Sequence, residues 1–192
     1  MRYTKLAADA FSKLQLNAGL IVKNFDPETG TVSDADILFA TSEGSAFEAT
    51  PSFSDFGEDI DNCPANTMEL KKLDYYEVLL SGTAVTMDTD SAKMLVGAAD
   101  VSGNKVTPRA DLLPEDFNEL WWVGDYSDDN TDENGGFIAI KMINALSTGG
   151  FKLQSNNKGK GQFEYEFMGH YSMTDVSIVP FEIYIKEGGA AA

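Results

Sequence analysis

Three sets of residues in this chain have the types and spacing for chemistry. Glu164 and Glu166 stand two apart in QFEYEFMG, and on a strand that spacing puts both carboxylates on one face, about 7 Å apart, within the range an inverting glycosidase uses. Cys63 and His170 are the single cysteine and the single histidine, in principle a nucleophile and its base. Asp128, Asn130 and Asp132 alternate in DYSDDNTDENGG, as the first ligands of a calcium loop do.

For each set the plainer reading is the stronger one. Alternating acids arise on any half-buried strand with one wet face. Cys63 lies between Asn62 and Pro64 in an acidic stretch that holds no base to activate a nucleophile; His170 follows a glycine at a strand end, and no serine has a nucleophile-elbow setting. The calcium pattern fails at its sixth position, Glu133 where glycine is needed, and at its twelfth, Ala139 where a bidentate glutamate is needed. One cysteine and one histidine are too few for zinc, and neither GNKVT nor NNKGKG has phosphate-loop spacing. Trp121 and Trp122 offer either a stacking platform for a sugar or base, or one ring for the sheet core and one for a subunit contact. The residues therefore predict no catalytic centre, no metal and no cofactor, and favour an interaction role over an enzyme.

The elements that hold these residues read as strands. Phe163, Tyr165 and Phe167 alternate with Glu164, Glu166 and Met168, and Val179, Phe181, Ile183 and Ile185 alternate with Glu182, Tyr184 and Lys186, the pattern of antiparallel strands with one face in the core. Tyr76, Val78 and Leu80 share a parity in LDYYEVLLSGTAV, GGFIAIKMINA is apolar on both parities, and DILFATSEGSAFEATPSFSDFG reads as strands divided at Gly44. Pro51 places its strand at an edge or a bulge. One helix is predicted over about 89–100, capped by Thr89 or Asp90, with Ala92, Leu95, Val96 and Ala99 on its apolar side. No βαβ rhythm appears, so the fold expected is mainly β: an antiparallel sandwich or barrel-like domain with one flanking α-helix. At 192 residues a single domain over 1–186 is expected, with 187–192 as a frayed tail.

Charge narrows the partners. Thirty-one acidic against fourteen basic residues leave a formal net charge of -17, which disfavours any surface that grips the phosphate backbone and suits one that lies beside DNA without holding it. One cysteine permits no internal disulfide. No apolar run approaches eighteen residues and no signal-peptide pattern opens the chain, so a soluble protein made in the cytoplasm, without a membrane partner, is expected.

The stretch DFGEDIDNCPANTMELKKLD, 55–74, is long and acidic for a connection in so small a protein. Together with TDSAKMLVGAAD, TPRADLLPEDFNELWWVGDYSDDN, GGFIAIKMINALSTGGFKLQSNNKGKGQFEYEFMGHYS and VPFEIYI, it resembles the major tail proteins (tail tube proteins) of long-tailed bacteriophages of Gram-positive hosts, over roughly 40–186. The resemblance implies a non-enzymatic virion protein whose six copies close into a ring, the rings stacking into a hollow tube that conducts the genome. Such subunits are made soluble, grow from distal tail proteins under control of a tape measure protein in the bore, and are capped by a tail terminator. It also implies that a loop over about 45–72 reaches a neighbouring subunit or the ring below, with Phe53, Phe56 and Ile60 as apolar anchors and Glu58, Asp59, Asp61, Lys71 and Lys72 as charged partners. Glu164, Glu166 and Glu182 are then the candidate lining of a bore past which DNA slides without specific binding, the alternative being that these acids face outward and another strand pair lines the bore. The alternatives are another virion β-protein, a tail terminator or capsid decoration, and a calcium-dependent carbohydrate-binding sandwich built on Trp121 and Trp122.

Overall fold

The computed structural model describes residues 5, 6, 10, 13–126 and 135–187. The calcium-like run Asp128 to Glu133, most of the 125–134 acidic stretch, and residues 188–192 of the expected tail lie outside these. Among the described residues are eleven strands: β1 (Gln15–Val22), β2 (Ile37–Phe39), β3 (Thr41–Asp55), β4 (Lys71–Ala84), β5 (Ala99–Ser102), β6 (Lys105–Pro108), β7 (Asn118–Tyr126), β8 (Gly136–Ser147), β9 (Lys152–Gln154), β10 (Gln162–Gly169) and β11 (Phe181–Lys186). One α-helix, α1 (Thr89–Val96), accompanies them. The chain is mainly β, antiparallel throughout, with one flanking helix, as its alternation and turn signals predict.

Nine of the strands form one sheet in the order β2-β1-β7-β8-β10-β4-β3, with β11 added to β8 and β9 to β10. The sheet divides at β8. Residues 137–142 of that strand pair with β11, whereas Ala145, Leu146 and Ser147 pair with β10. Two limbs result, β2-β1-β7-β8-β11 and β8-β10-β4-β3, and they face each other across the main core. Ile21, Leu120 and Met142 from the first limb meet Val78, Leu80, Tyr165 and Phe167 from the second. The chain passes from β2 to β3 through Ala40 alone, which brings the two limbs together at that end.

Helix α1 covers the same end. Its Met94 and Leu95 enter the main core, Ser91 Oγ donates to the Leu38 carbonyl at 2.8 Å, and Ser147 Oγ donates to the Leu95 carbonyl at 2.8 Å. The helix is shorter than the expected 89–100. Asp88, not Thr89 or Asp90, is its N-cap, with the carboxylate accepting from Ser91 N at 2.7 Å. Gly97 ends it at φ 86, a left-handed geometry that glycine adopts without a Cβ penalty.

Three other expectations are corrected, and one element was not anticipated. Gly44 does not separate two strands; it lies in a bulge of β3, where the register on β4 slips between Ser42 and Ser45. Nearly half of the connection expected over 45–72 is strand, since β3 and β4 pair from Thr41↔Ala84 to Asp55↔Lys71, and the loop is confined to 56–70. Ile183 and Ile185 are 53% and 60% exposed, because β11 is an outer strand and beyond Phe181 its inward parity runs past the edge of the core. The hairpin β5–β6 forms a separate two-stranded sheet that the strand pattern did not predict. Pro51 behaves as expected, on an edge strand with one side unpaired.

Candidate assembly surfaces

The β3–β4 hairpin reaches past the body of the fold. Inward-facing Phe47, Ala49 and Tyr76 still pack on the core, but further out Phe53, Leu73 and Tyr75 are half exposed. Beyond them the 56–70 loop is braced by its own groups. Asp55 accepts from Gly57 N at 2.9 Å through one carboxylate oxygen and from Asn66 N at 3.1 Å through the other. Thr67 Oγ1 donates to the Pro64 carbonyl at 2.7 Å, and Lys71 Nζ donates to Asn66 Oδ1 at 2.6 Å. The loop thus has a definite shape, fixed by short-range polar contacts.

That shape turns Phe56 and Ile60 outward, and with them Met68, which is 79% exposed. Glu58, Asp59 and Asp61 are also exposed at the tip. Phe53 lies on the β3 flank with Lys71 Nζ 5.9 Å from its ring centre, and Lys72 sits 3.9 Å from Asp74. The expected anchors and charges are therefore gathered on one projecting hairpin. Met68 was missed because its neighbours show no periodicity.

The outward face of the second limb carries the paired carboxylates. Tyr165 and Phe167 are buried while Glu164 is exposed and Glu166 half exposed, as alternation requires. Register places Glu164 beside Thr83 and Ser42, Glu166 beside Ser81 and Ala46, and Glu48 beside Leu79. Glu77, opposite Thr50, extends the same face. The surface carries four carboxylates with Ser42, Thr83, Ala46, Ser81 and Thr50 among them, and Leu79 and Met168 occupy the Glu48 row. Glu48 and Glu77 became visible as its members only through the pairing of distant strands. Glu164 has Lys152 at 3.5 Å, and Glu166 accepts from Thr148 Oγ1 at 2.8 Å.

Glu182 is not part of this face. It pairs in register with Lys141 on the first limb, and its carboxylate accepts from Tyr184 Oη at 2.6 Å, which raises the Tyr184 phenol above its ordinary pKa. Tyr184 stacks on Trp121 at 5.5 Å. This side of the first limb holds a second cluster in which Phe25 meets Trp121 at 5.5 Å and Phe137 at 5.1 Å.

The tryptophans do not make one platform. Trp121 is 3% exposed in that second cluster, whereas Trp122 points to the opposite face, packs on the main core and donates from Nε1 to the Ala18 carbonyl at 3.2 Å. Successive strand residues face opposite ways, so a joint stacking surface is ruled out. His170 lies 3.2 Å from the Asn144 carbonyl and edge-on to Phe117, and Cys63 contacts the Thr67 hydroxyl at 3.3 Å. Among the described residues no three His, Cys, Asp or Glu side chains converge as a metal site requires, and no helix is long and apolar enough to cross a membrane.

No protein-family model and no curated protein matches the chain. Among solved structures it is similar to a chain in the virion of a native gene transfer agent particle, at 10% identity and a TM-score of 0.41, covering 88% of this chain and 95% of that one. It is also similar to a chain in the tail of an empty gene transfer agent particle with C6 symmetry, at 10% identity and a TM-score of 0.42, covering 81% and 92%.

Proposed function

We propose that this protein is a structural subunit of a phage-type tail tube, closing into hexameric rings that stack around a DNA-conducting bore. One observation carries the reading: the β8-β10-β4-β3 limb buries one face in the core, presents Glu48, Glu77, Glu164 and Glu166 on the other, and ends in the fifteen-residue strand β3, whose outer edge is unpaired among the described residues. A long free edge is a hazard to a monomer and a joint for a ring whose copies continue one another's sheet.

In such a ring the face bearing Glu164 and Glu166 lines the bore, where carboxylates repel phosphate and let DNA slide without specific binding. Glu182, on the other limb, is the outlying member of the candidate lining. The β3–β4 hairpin supplies contacts between copies, and its exposed Phe53, Phe56 and Ile60 lose their contact with water on assembly. A tape measure protein in the bore, distal tail proteins at one end and a tail terminator at the other complete the partner set, in a virion tail assembled from subunits made in the host cytoplasm.

Sedimentation velocity across a concentration series tests the reading. Open-ended polymers that grow with concentration support it; a single closed ring or trimer of fixed size points instead to a terminator or a capsid decoration protein.

A further inference from the structure

The hairpin tip has an opposite in the same molecule. Residues 55–70 hold five carboxylates (Asp55, Glu58, Asp59, Asp61 and Glu69) and no base, whereas 152–162 hold Lys152, Lys158 and Lys160 and no acid. In a chain with 31 acids and only 14 bases, an acid-free run with three lysines is a local reversal of the protein's field. All three lysines are exposed. Among the described residues, Lys158 and Lys160 have no ion-pair partner in the chain, and Lys152 reaches Glu164 at 3.5 Å.

Strand β4 measures how far apart these charges lie. Its Lys71 end carries the acidic loop. Phe163 pairs with Ala84 at the other end, and Leu153 pairs with Phe163, so the turn between β9 and β10 projects beyond the Ala84 end. From Lys71 to Ala84 the strand spans about 43 Å, and the two surfaces cannot meet within one copy.

Apolar groups accompany the charge at both ends. Phe56, Ile60 and Met68 are 60%, 50% and 79% exposed on the tip, and Phe151 and Leu153 are 45% and 57% exposed at the basic hairpin. Both surfaces are shaped in advance, the tip by Asp55 and the turn by Lys158 at φ 59 followed by Gly159. Apolar residues ringed by one sign of charge mark a protein contact, and here the second surface offers the other sign.

We propose that the acidic tip of one copy docks on the β9–β10 hairpin of the next, Phe56, Ile60 and Met68 covering Phe151 and Leu153 while Glu58, Asp59 and Asp61 face Lys158 and Lys160. This contact is heterologous and runs along the β4 direction, so it repeats without closing. It rests on the tail-tube reading for its partner, a second copy of this chain, and names the two surfaces that join.

Charge exchange in the full chain is the test. Glu58→Lys/Asp59→Lys/Asp61→Lys and, separately, Lys158→Glu/Lys160→Glu each raise the concentration needed for polymerisation at least about tenfold, and combining all five substitutions in one chain brings it back toward the unsubstituted protein. Cross-linking gives a second readout: in a Cys63→Ser background, Ile60→Cys with Leu153→Cys forms a ladder of disulfide-linked copies on oxidation. Polymers indifferent to either reversal, no recovery in the five-fold variant, or no ladder from assembled protein overturns the docking and leaves the tube intact. Unsubstituted protein that never polymerises overturns both.

Discussion

The hydroxyl of Tyr165 lies 2.6 Å from Ser45 Oγ, directly over Gly82, where an added Cβ would collide with the phenol oxygen. The contact ties β10 across β4 to the bulged start of β3. Tyr165→Phe removes one partly buried hydrogen bond and should cost about 1 kcal/mol, while Gly82→Ala overpacks the site and should cost about 1–3 kcal/mol, both read from urea midpoints. Burial raises the Tyr165 phenol above its ordinary pKa. Its neutral form therefore supports the fold fully below about pH 10, and that support is lost as pH rises through the raised value.

Asp88 gives the opposite pH dependence. Its hydrogen bond from Ser91 N lowers the carboxyl pKa, so its contribution is present above about pH 4 and lost as pH falls through the lowered value. Asp88→Ala should cost about 1 kcal/mol at neutral pH. The difference from the unsubstituted protein should shrink as pH falls below about 4, checked by thermal melts at pH 7 and pH 3.

Amide exchange should divide the early hairpin into two parts. In the unassembled subunit the paired residues of β3 and β4 near the core exchange slowly, whereas the 56–70 loop and the overhanging ends exchange quickly. Assembly should protect the loop. Phe56→Ser with Ile60→Ser should leave the melting temperature of the monomer within about 2 °C, since surface changes cost little, while lowering polymer yield.

The proposed lining by Glu164 and Glu166 predicts that reversing their charge makes assembled tubes retain DNA. Tubes of the Glu164→Lys/Glu166→Lys variant are expected to hold short duplex DNA at low salt and release it at high salt, as measured by co-sedimentation. Variant tubes that bind no more DNA than the unsubstituted protein would place these carboxylates away from the bore.

Strand identity was legible wherever side chains alternate over a covered face, as at Phe163, Tyr165 and Phe167, whose burial is that of the predicted parity. The same rule misplaced Ile183 and Ile185, because alternation shows which residues share a side and not where the opposing limb stops. Alternation of Phe47, Ala49, Pro51 and Phe53 already marked 45–55 as strand; the loop expected over 45–72 came from the resemblance, and the pairing of β3 with β4 as far as Asp55↔Lys71 shortens it to 56–70. The β5–β6 hairpin did leave a signal, Gly103-Asn104 between Val101 and Val106, with Gly103 at φ 60, as a tight hairpin turn requires. For the candidate site, the tip anchors were visible as apolar residues in a polar run. The acidic face was visible only in part, since Glu48 and Glu77 join Glu164 and Glu166 through pairings distant in sequence.

Negative-stain electron microscopy of the purified, concentrated protein tests the central claim most directly. Extended hollow tubes built of stacked six-fold rings are expected. A field of compact single particles across every salt and seeding condition would contradict it.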